Sequence, residues 1–419
     1  MGGKLTLDNL LLDCPKDEVI GDNLIKSWAK INSPKYKKIL CSVSGGSDSD
    51  IIIDICNKCD KERKVDYVWF DTGLEYQATK DHLKYLEEKY NVKIKTAKAI
   101  KPIPVSCREY GVPFISKHVS EMISRLQKHN FQWEDKEFDV LVERYCKWSE
   151  KRQKWVGCYS ALLWWCNRNR TVRLNIENNK WLKEFLIEHS PTEIKISNVC
   201  CKYAKKDVAH NYVADGNYDL SITGIRRAEG GARASKYKNC FSEGIGRCDN
   251  YRPIFWYKNG TKEKYDDHYK VKHSDCYEQY GLKRTGCAGC PFGREFEQEL
   301  EVIKKYEPKL FKAVNNIFGK SYEYTRQYRT FCKTMEENME KRRSNKRIYK
   351  KTVFMKKDTG EQWVVTAQHR KGDIYLGQFP VDEVCYTIKT GLHEKIVSKS
   401  ELLNEDEYEM LTNNDAINR

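Results

Sequence analysis

Apolar residues in this chain gather into short runs separated by charged stretches, and the spacing of those runs changes along its length. Residues 1–36 carry a helical pattern, clearest from Asn23 to Ile31. Lys37-Lys38-Ile39-Leu40-Cys41-Ser42-Val43 then predicts a strand, and Asp50–Cys56 opens an apolar helix. The β-rich run Val65–Phe70 predicts a second strand, which ends in Asp71-Thr72-Gly73. Glu75–Tyr90 reads as a helix with Leu83 and Leu86 on its apolar stripe, and Val92–Lys95 as a third strand. This alternation predicts an α/β fold with a doubly wound parallel sheet. Ligands of such sheets sit at the carboxyl ends of the strands.

The pattern then changes character. Residues 127–198, rich in Trp, Lys and Arg, read as a helical insertion; its tryptophans are expected mainly in the core, the alternative being interleaved aromatics and bases that stack on nucleic-acid bases. Residues 301–347 are strongly helical and end in the basic cluster Lys341-Arg342-Arg343 and Lys346-Arg347. From there 348–419 reads as a small C-terminal β-rich appendage. The expected organisation is a helical lead-in over 1–36, a nucleotide domain over 37–300 and the two C-terminal segments. Within the nucleotide domain, 199–293 is the cysteine-bearing region.

Composition narrows the partners. The formal net charge of +15 implies an anionic one: nucleotide, sulfate ester or nucleic acid. No apolar stretch approaches the ~20 residues of a membrane span, and the N-terminus is not a signal peptide. No membrane partner and a cytoplasmic location are therefore expected. In that setting, 17 cysteines point to metal or redox chemistry rather than disulfides.

The first candidate site is the turn Ser44-Gly45-Gly46-Ser47-Asp48-Ser49 between the first strand and its helix. Two glycines let the backbone turn its N–H groups inward, and the helix N-terminus behind them suits a phosphate. The serine hydroxyls add donors. Asp48 would repel a bare phosphate, so its expected task is to hold the loop or a magnesium ion. The Gly-Lys-Ser/Thr ending of a Walker loop is missing. The run resembles instead the SGGxDS pyrophosphate loop of the adenine nucleotide α-hydrolase superfamily.

The second candidate is a set of thiols. Cys200 and Cys201 are adjacent, and Cys287-Ala288-Gly289-Cys290 is a Cys-x-x-Cys turn. Four thiolates suit zinc or a cubane iron–sulfur cluster. The adjacent pair is awkward around one tetrahedral zinc, which favours the cubane. Cys240, Cys248 and Cys276 are alternative ligands. Cys56 and Cys59 read as helix thiols, and Cys14, Cys41, Cys107, Cys146, Cys158 and Cys166 as scattered structural residues. Between the pairs, Leu220-Ser221-Ile222-Thr223 reads as a strand ending at Gly224, followed by Arg226 and Arg227. Their forks, with Arg233, are candidate anion clamps.

Taken in order, Ser44–Ser49, Asp71–Glu75, Gly111-Val112-Pro113-Phe114-Ile115-Ser116-Lys117, Cys200–Cys201, Thr223–Arg227 and Cys287–Cys290 resemble the phosphoadenylylsulfate (PAPS) reductase family. The paired cysteines resemble its iron–sulfur branch. The resemblance implies a phosphate site at Ser44, Gly45, Gly46, Ser47, Asp48 and Ser49, with Asp71, Thr72 and Gly73 lining the nucleotide pocket. It implies Asp48, Lys117, Arg226 and Arg227 as catalytic groups and a 4Fe–4S cluster on Cys200, Cys201, Cys287 and Cys290. The substrate would be PAPS, adenylylsulfate or ATP with Mg2+, and the partner a thiol reductant or a cysteine desulfurase-like sulfur donor. One departure matters. The family's catalytic ECGLH-like tail has its nearest match at Lys389-Thr390-Gly391-Leu392-His393, with threonine in place of the cysteine. Cys332 and Cys385 are the remaining candidate thiols. Three readings follow: a sulfonucleotide reductase, an adenylating sulfurtransferase acting on nucleic acid, and a non-catalytic binding module.

Overall fold

The computed structural model describes residues 6–230, 236–244, 248–346, 348–370, 384–404 and 406–411. The chain divides into two compact units, residues 1–328 and 329–419. The division falls within the helix Pro308–Lys346.

The first unit is built on a six-stranded sheet. Its strands are β1 (Ile39–Ser42), β2 (Val65–Asp71), β3 (Ile94–Lys98), β6 (Leu220–Thr223), β7 (Phe241–Ser242) and β8 (Asp249–Tyr251). They lie in the order β3-β2-β1-β6-β8-β7, all parallel except the edge pair β7–β8. β1 is central, with Ile39 beside Val65 of β2 on one side and Leu220 of β6 on the other. The chain runs outward in both directions from β1, so the crevice at the carboxyl ends of β1 and β6 is a topological switch point.

Alternation along β1 sets the two core layers. Ile39 and Cys41 face a core shared with α2 (Glu18–Ile31) and α3 (Ser47–Cys59), while Leu40 faces a smaller one with Val68, Ala97, Val208 and Tyr218. Helices α2 and, before it, α1 (Leu7–Leu12) are therefore part of the first unit's core: Ile20, Leu24, Trp28 and Ile31 are buried there. The expected strands and helices of the alternating region are present with ends shifted by a few residues. The third strand runs Ile94–Lys98 rather than Val92–Lys95, and its preceding helix, α4, is Gln77–Tyr90.

The 127–198 stretch departs from an all-helical reading. Trp133, Trp164 and Trp165 are buried. Between α7 (Phe138–Tyr145) and α8 (Tyr159–Trp165), however, stands an antiparallel hairpin, β4 (Cys146–Ser149) and β5 (Lys154–Gly157). Trp148 and Trp155 face each other across it.

The second unit holds a five-stranded antiparallel sheet in the order β12-β11-β10-β9-β13. Its strands are β9 (Val353–Lys356), β10 (Gln362–His369), β11 (Cys385–Thr390), β12 (His393–Ser398) and β13 (Tyr408–Leu411). They close on their own core of Phe354, Trp363, Val365, Ile388 and Val397. Thr390-Gly391-Leu392-His393 is the tight turn between β11 and β12, with Leu392 99% exposed. The segment that matched a reductase tail is thus a hairpin turn. Cys385 opens β11 as a buried residue. Arg233 and the side chains of the 341–347 basic cluster lie outside the described residues.

Candidate functional site

β1 delivers the chain into the loop at the switch point. Gly45 adopts φ +70°, and a Cβ there would stand 2.7 Å from the Thr79 Cγ2, so only glycine fits. Gly46 begins α3. Its N–H donates to Ser49 Oγ (3.0 Å), and Ser49 Oγ donates back to the Gly46 carbonyl (2.7 Å), with Ser44 Oγ 3.3 Å away. The serines therefore tie the loop into a closed turn at the positive end of a 13-residue helix.

Asp48 is not free in this arrangement. The Arg226 Nε–H is shared between both Asp48 oxygens at 2.9 Å, and Arg226 Nη1 donates to Asn259 Oδ1 at 3.0 Å. Both side chains are nearly buried, 13% and 12% exposed. Gly224 permits this closeness: a Cβ on it would be 3.1 Å from the Asp48 carbonyl oxygen. The pair latches the helix start to the end of β6. Arg227 is exposed, its guanidinium 5.6 Å from the Trp256 ring.

Under the loop lies a buried polar chain. Asp50 is fully buried and accepts from His82 Nε2 (2.9 Å) and from His273 Nδ1 (2.8 Å). His273 Nε2 lies 3.2 Å from Asp266 Oδ2, which also accepts from Lys262. Burial disfavours the His273 cation, but hydrogen bonds to Asp266 and Asp50 outweigh it and raise the pKa to about 9. Over the loop stand Tyr277 and Thr285, hydroxyl to hydroxyl at 3.0 Å. A Cβ on Gly46 would be 3.2 Å and 3.3 Å from these two oxygens.

The carboxyl end of β2 is adjacent. Asp71 Oδ1 accepts from the Gly73 N–H (2.8 Å), and buried Thr72 donates to Glu75 Oε1 (2.5 Å). The Cys-x-x-Cys turn docks here. The Ala288 N–H donates to the Leu74 carbonyl (3.1 Å) and the Gly289 N–H to Glu299 Oε1 (3.0 Å). Cys287 meets Thr72, Lys205 and Glu75. Burial raises its pKa, and the Lys205 ammonium works against that rise. Lys205 itself resists the downward pull of burial because Cys287 and Glu75 favour its charge. It sits on the π-helical turn Lys202–Lys206, directly after the cysteine pair.

The structure brings Cys200, Cys201, Cys287 and Cys290 into one neighbourhood. Cys200 is raised by its hydrogen bond to Cys107, Cys201 by its hydrogen bond to Cys200, and Cys290 by burial, to about 12. Lys117, which opens α6 (Lys117–Gln127), acts on Cys201 by charge. It follows Ile115, a β-branched residue held at φ +53°, a strained conformation. Cys107, on α5 (Ile103–Tyr110), belongs to this group and not to the scattered structural cysteines. Of the alternative ligands, Cys276 shares the apolar cluster of Cys107 and Cys200, whereas Cys240 and Cys248 pack against other core layers. Cys56 is buried beside Cys41.

Among the described residues no group of three or more His, Cys, Asp or Glu has closed metal-ligand geometry. The donor chemistry nevertheless fits a thiolate-bound centre: four neighbouring thiols, Cys200 buried and the other three half-buried, with the Lys205 ammonium beside Cys287.

Fold and site together define a parallel α/β protein with a serine–glycine loop at its switch point and a thiol centre at the next strand end. Residues 38–147 match the family model of the phosphoadenosine phosphosulfate reductase domain. The matched stretch includes Ser44–Ser49, Asp71–Gly73 and Lys117 and ends before the cysteine pairs. An uncharacterized protein of Methanocaldococcus jannaschii is 24% identical over 292 residues, covering 70% of this chain and 42% of that protein. The chain thus spans less than half the length of this relative. Similar solved structures include a PAPS reductase from Candida auris in a phosphate complex, at 12% identity and TM-score 0.32, covering 68% of this chain and 96% of that one. Another is a U34-tRNA thiolase from Methanococcus maripaludis with its [4Fe-4S] cluster, at 11% identity and TM-score 0.31, covering 75% and 79%. No described helix is long and apolar enough to cross a membrane.

Proposed function

We propose that the chain is an enzyme that binds an adenine nucleotide at Ser44–Ser49 and handles sulfur at the adjoining thiols. One observation carries this reading. Thr285 stands over the loop, and Cys287, two residues later, lies against Thr72 at the end of the next strand. Two residues span at most about 7 Å, so a phosphate on the loop is within one side chain's reach of the thiols.

Of the two reactions considered, adenylation fits better than sulfonucleotide reduction. Reduction needs a mobile thiol to attack the sulfonyl sulfur, and the tail-like segment here is a hairpin turn with Thr390. In adenylation an acceptor oxygen attacks the α-phosphorus of ATP, and the bond to pyrophosphate breaks. Sulfur from a donor then displaces AMP. The loop N–H groups and the serine hydroxyls hold the phosphates, Arg226 positions the loop through Asp48, and Lys117 and Arg227 offset the developing charge. Magnesium would enter with the nucleotide. Cys200, Cys201, Cys287 and Cys290 would hold a 4Fe–4S cluster, which supplies sulfur or electrons when bound.

The test uses anaerobically purified protein incubated separately with ATP and with PAPS. Pyrophosphate and AMP from ATP, without sulfite from PAPS, is the expected result. Sulfite from PAPS reverses the choice of reaction, and turnover of neither nucleotide overturns the reading.

A further inference from the structure

We infer that the exposed face formed by the β4–β5 hairpin and residues 168–174 binds single-stranded nucleic acid and guides it toward the thiol site. The inference rests on the proposed function, whose acceptor class it names.

The face begins with a ladder of rings. Trp148 is 45% exposed and meets Trp155 edge to face, with centroids 5.7 Å apart. Trp155 stacks on Tyr159 at 6.4 Å with 9° between planes, and Tyr159 packs on Phe138 at 5.7 Å. The Arg168 guanidinium closes the far end, 4.9 Å from the Phe138 centroid. A tryptophan braced from one side and open on the other is a stacking platform, and stacking needs an unpaired base.

Charge follows the rings. From 147 to 173 there are seven lysines and arginines and one acid, Glu150. All seven are exposed, and none forms an ion pair among the described residues. Two of the flanking acids are already used, Glu134 by Lys136 and Arg144 and Asp135 by Lys183; Glu143 and Glu177 lie just outside the basic segment. Unneutralised bases beside an open ring match a phosphate backbone with splayed bases. A solvated surface would not require the exposed Trp148, nor Val172, which is 63% exposed.

The face also leads to the site. His118 Nε2 donates to the Leu174 carbonyl at 3.1 Å, and its neighbour Lys117 accepts at its own carbonyl from Asn198 Nδ2 at 3.0 Å. Asn198 precedes the cysteine pair by two residues. The basic segment therefore ends against His118, in the first turn of α6 beside Lys117.

The experiment measures anisotropy of labelled RNA and DNA oligonucleotides of about 20 nucleotides against the full chain. With about four phosphate contacts on a single strand, the affinity should fall roughly fifty-fold between about 50 and 200 mM salt. Trp148→Ala should weaken binding about tenfold, the loss of one stacked base. The pair Lys151→Glu and Arg152→Glu should weaken binding and flatten the salt dependence, with thermal melting confirming that each variant folds. Tighter binding of RNA or of DNA supports the inference either way and identifies the acceptor. Equal binding by wild type and both variants overturns it, as does duplex bound as tightly as single strand, or binding to anionic vesicles alone. No nucleotide turnover is involved, so failure here leaves the ATP reading standing, and failure of ATP turnover leaves this assay interpretable.

Discussion

Asp48 and Arg226 form a nearly buried ion pair that does the work of a latch, although each alone looks like a ligand for phosphate or magnesium. Removing one partner leaves a charge in a poorly hydrated place. Asp48→Ala should therefore cost about 3 kcal/mol of stability and abolish ATP turnover, while visible absorbance from a thiolate-bound centre persists; melting, turnover and spectra check the three parts. The thiols separate in the same way. Cys287→Ser should remove iron and visible absorbance, and Cys240→Ser, on another core layer, should leave both unchanged. His273 supplies a pH dependence. Both ring nitrogens face carboxylates, Asp50 and Asp266, with Lys262 as the opposing cation. Its folded pKa of about 9 lies above the ordinary value of 6.5, so its stabilisation is complete below about pH 6.5 and is lost as pH rises through 9. Melting temperature should fall over that window, by the equivalent of about 2–3 kcal/mol, and His273→Gln should flatten the fall. Ser44–Ser49 was legible because its residue types announce a tight turn between strand and helix. Cys107, Lys205, Tyr277 and His273 were not, because each reaches the site through a contact far away in sequence.

Elements place these residues, and their legibility followed their length and pattern. β1, β2 and β6 are buried in the parallel sheet and read as continuous apolar or β-rich runs. The β4–β5 hairpin was hidden because its strands have four residues each, and lysines break their alternation. The connection into α6 depends on one glycine. Gly111 has φ +108°, and a Cβ there would come within 2.4 Å of the Lys195 carbonyl oxygen, beside the parallel bridge from Val112 to Ile196. Gly111→Ala should lower stability by about 3 kcal/mol, read from the urea midpoint, and should weaken the influence of Lys117 at the thiols.

At the scale of the molecule, every residue of the proposed site lies in the unit of residues 1–328, where two strand ends bring a loop and a thiol centre together. The second unit has its own sheet and core, and its turn at Thr390–His393 removes the one segment that suggested a reductase tail. The central claim, that nucleotide loop and thiols form one site, can be tested without assuming a reaction. Alkylation rates of Cys287 and Cys240 would be followed peptide by peptide by mass spectrometry, with and without ATP at a concentration shown by titration to saturate the protein. Bound ATP should slow labelling of Cys287 several-fold and leave Cys240 unchanged. Equal slowing of both, or none at Cys287 while ATP is bound, would contradict the account.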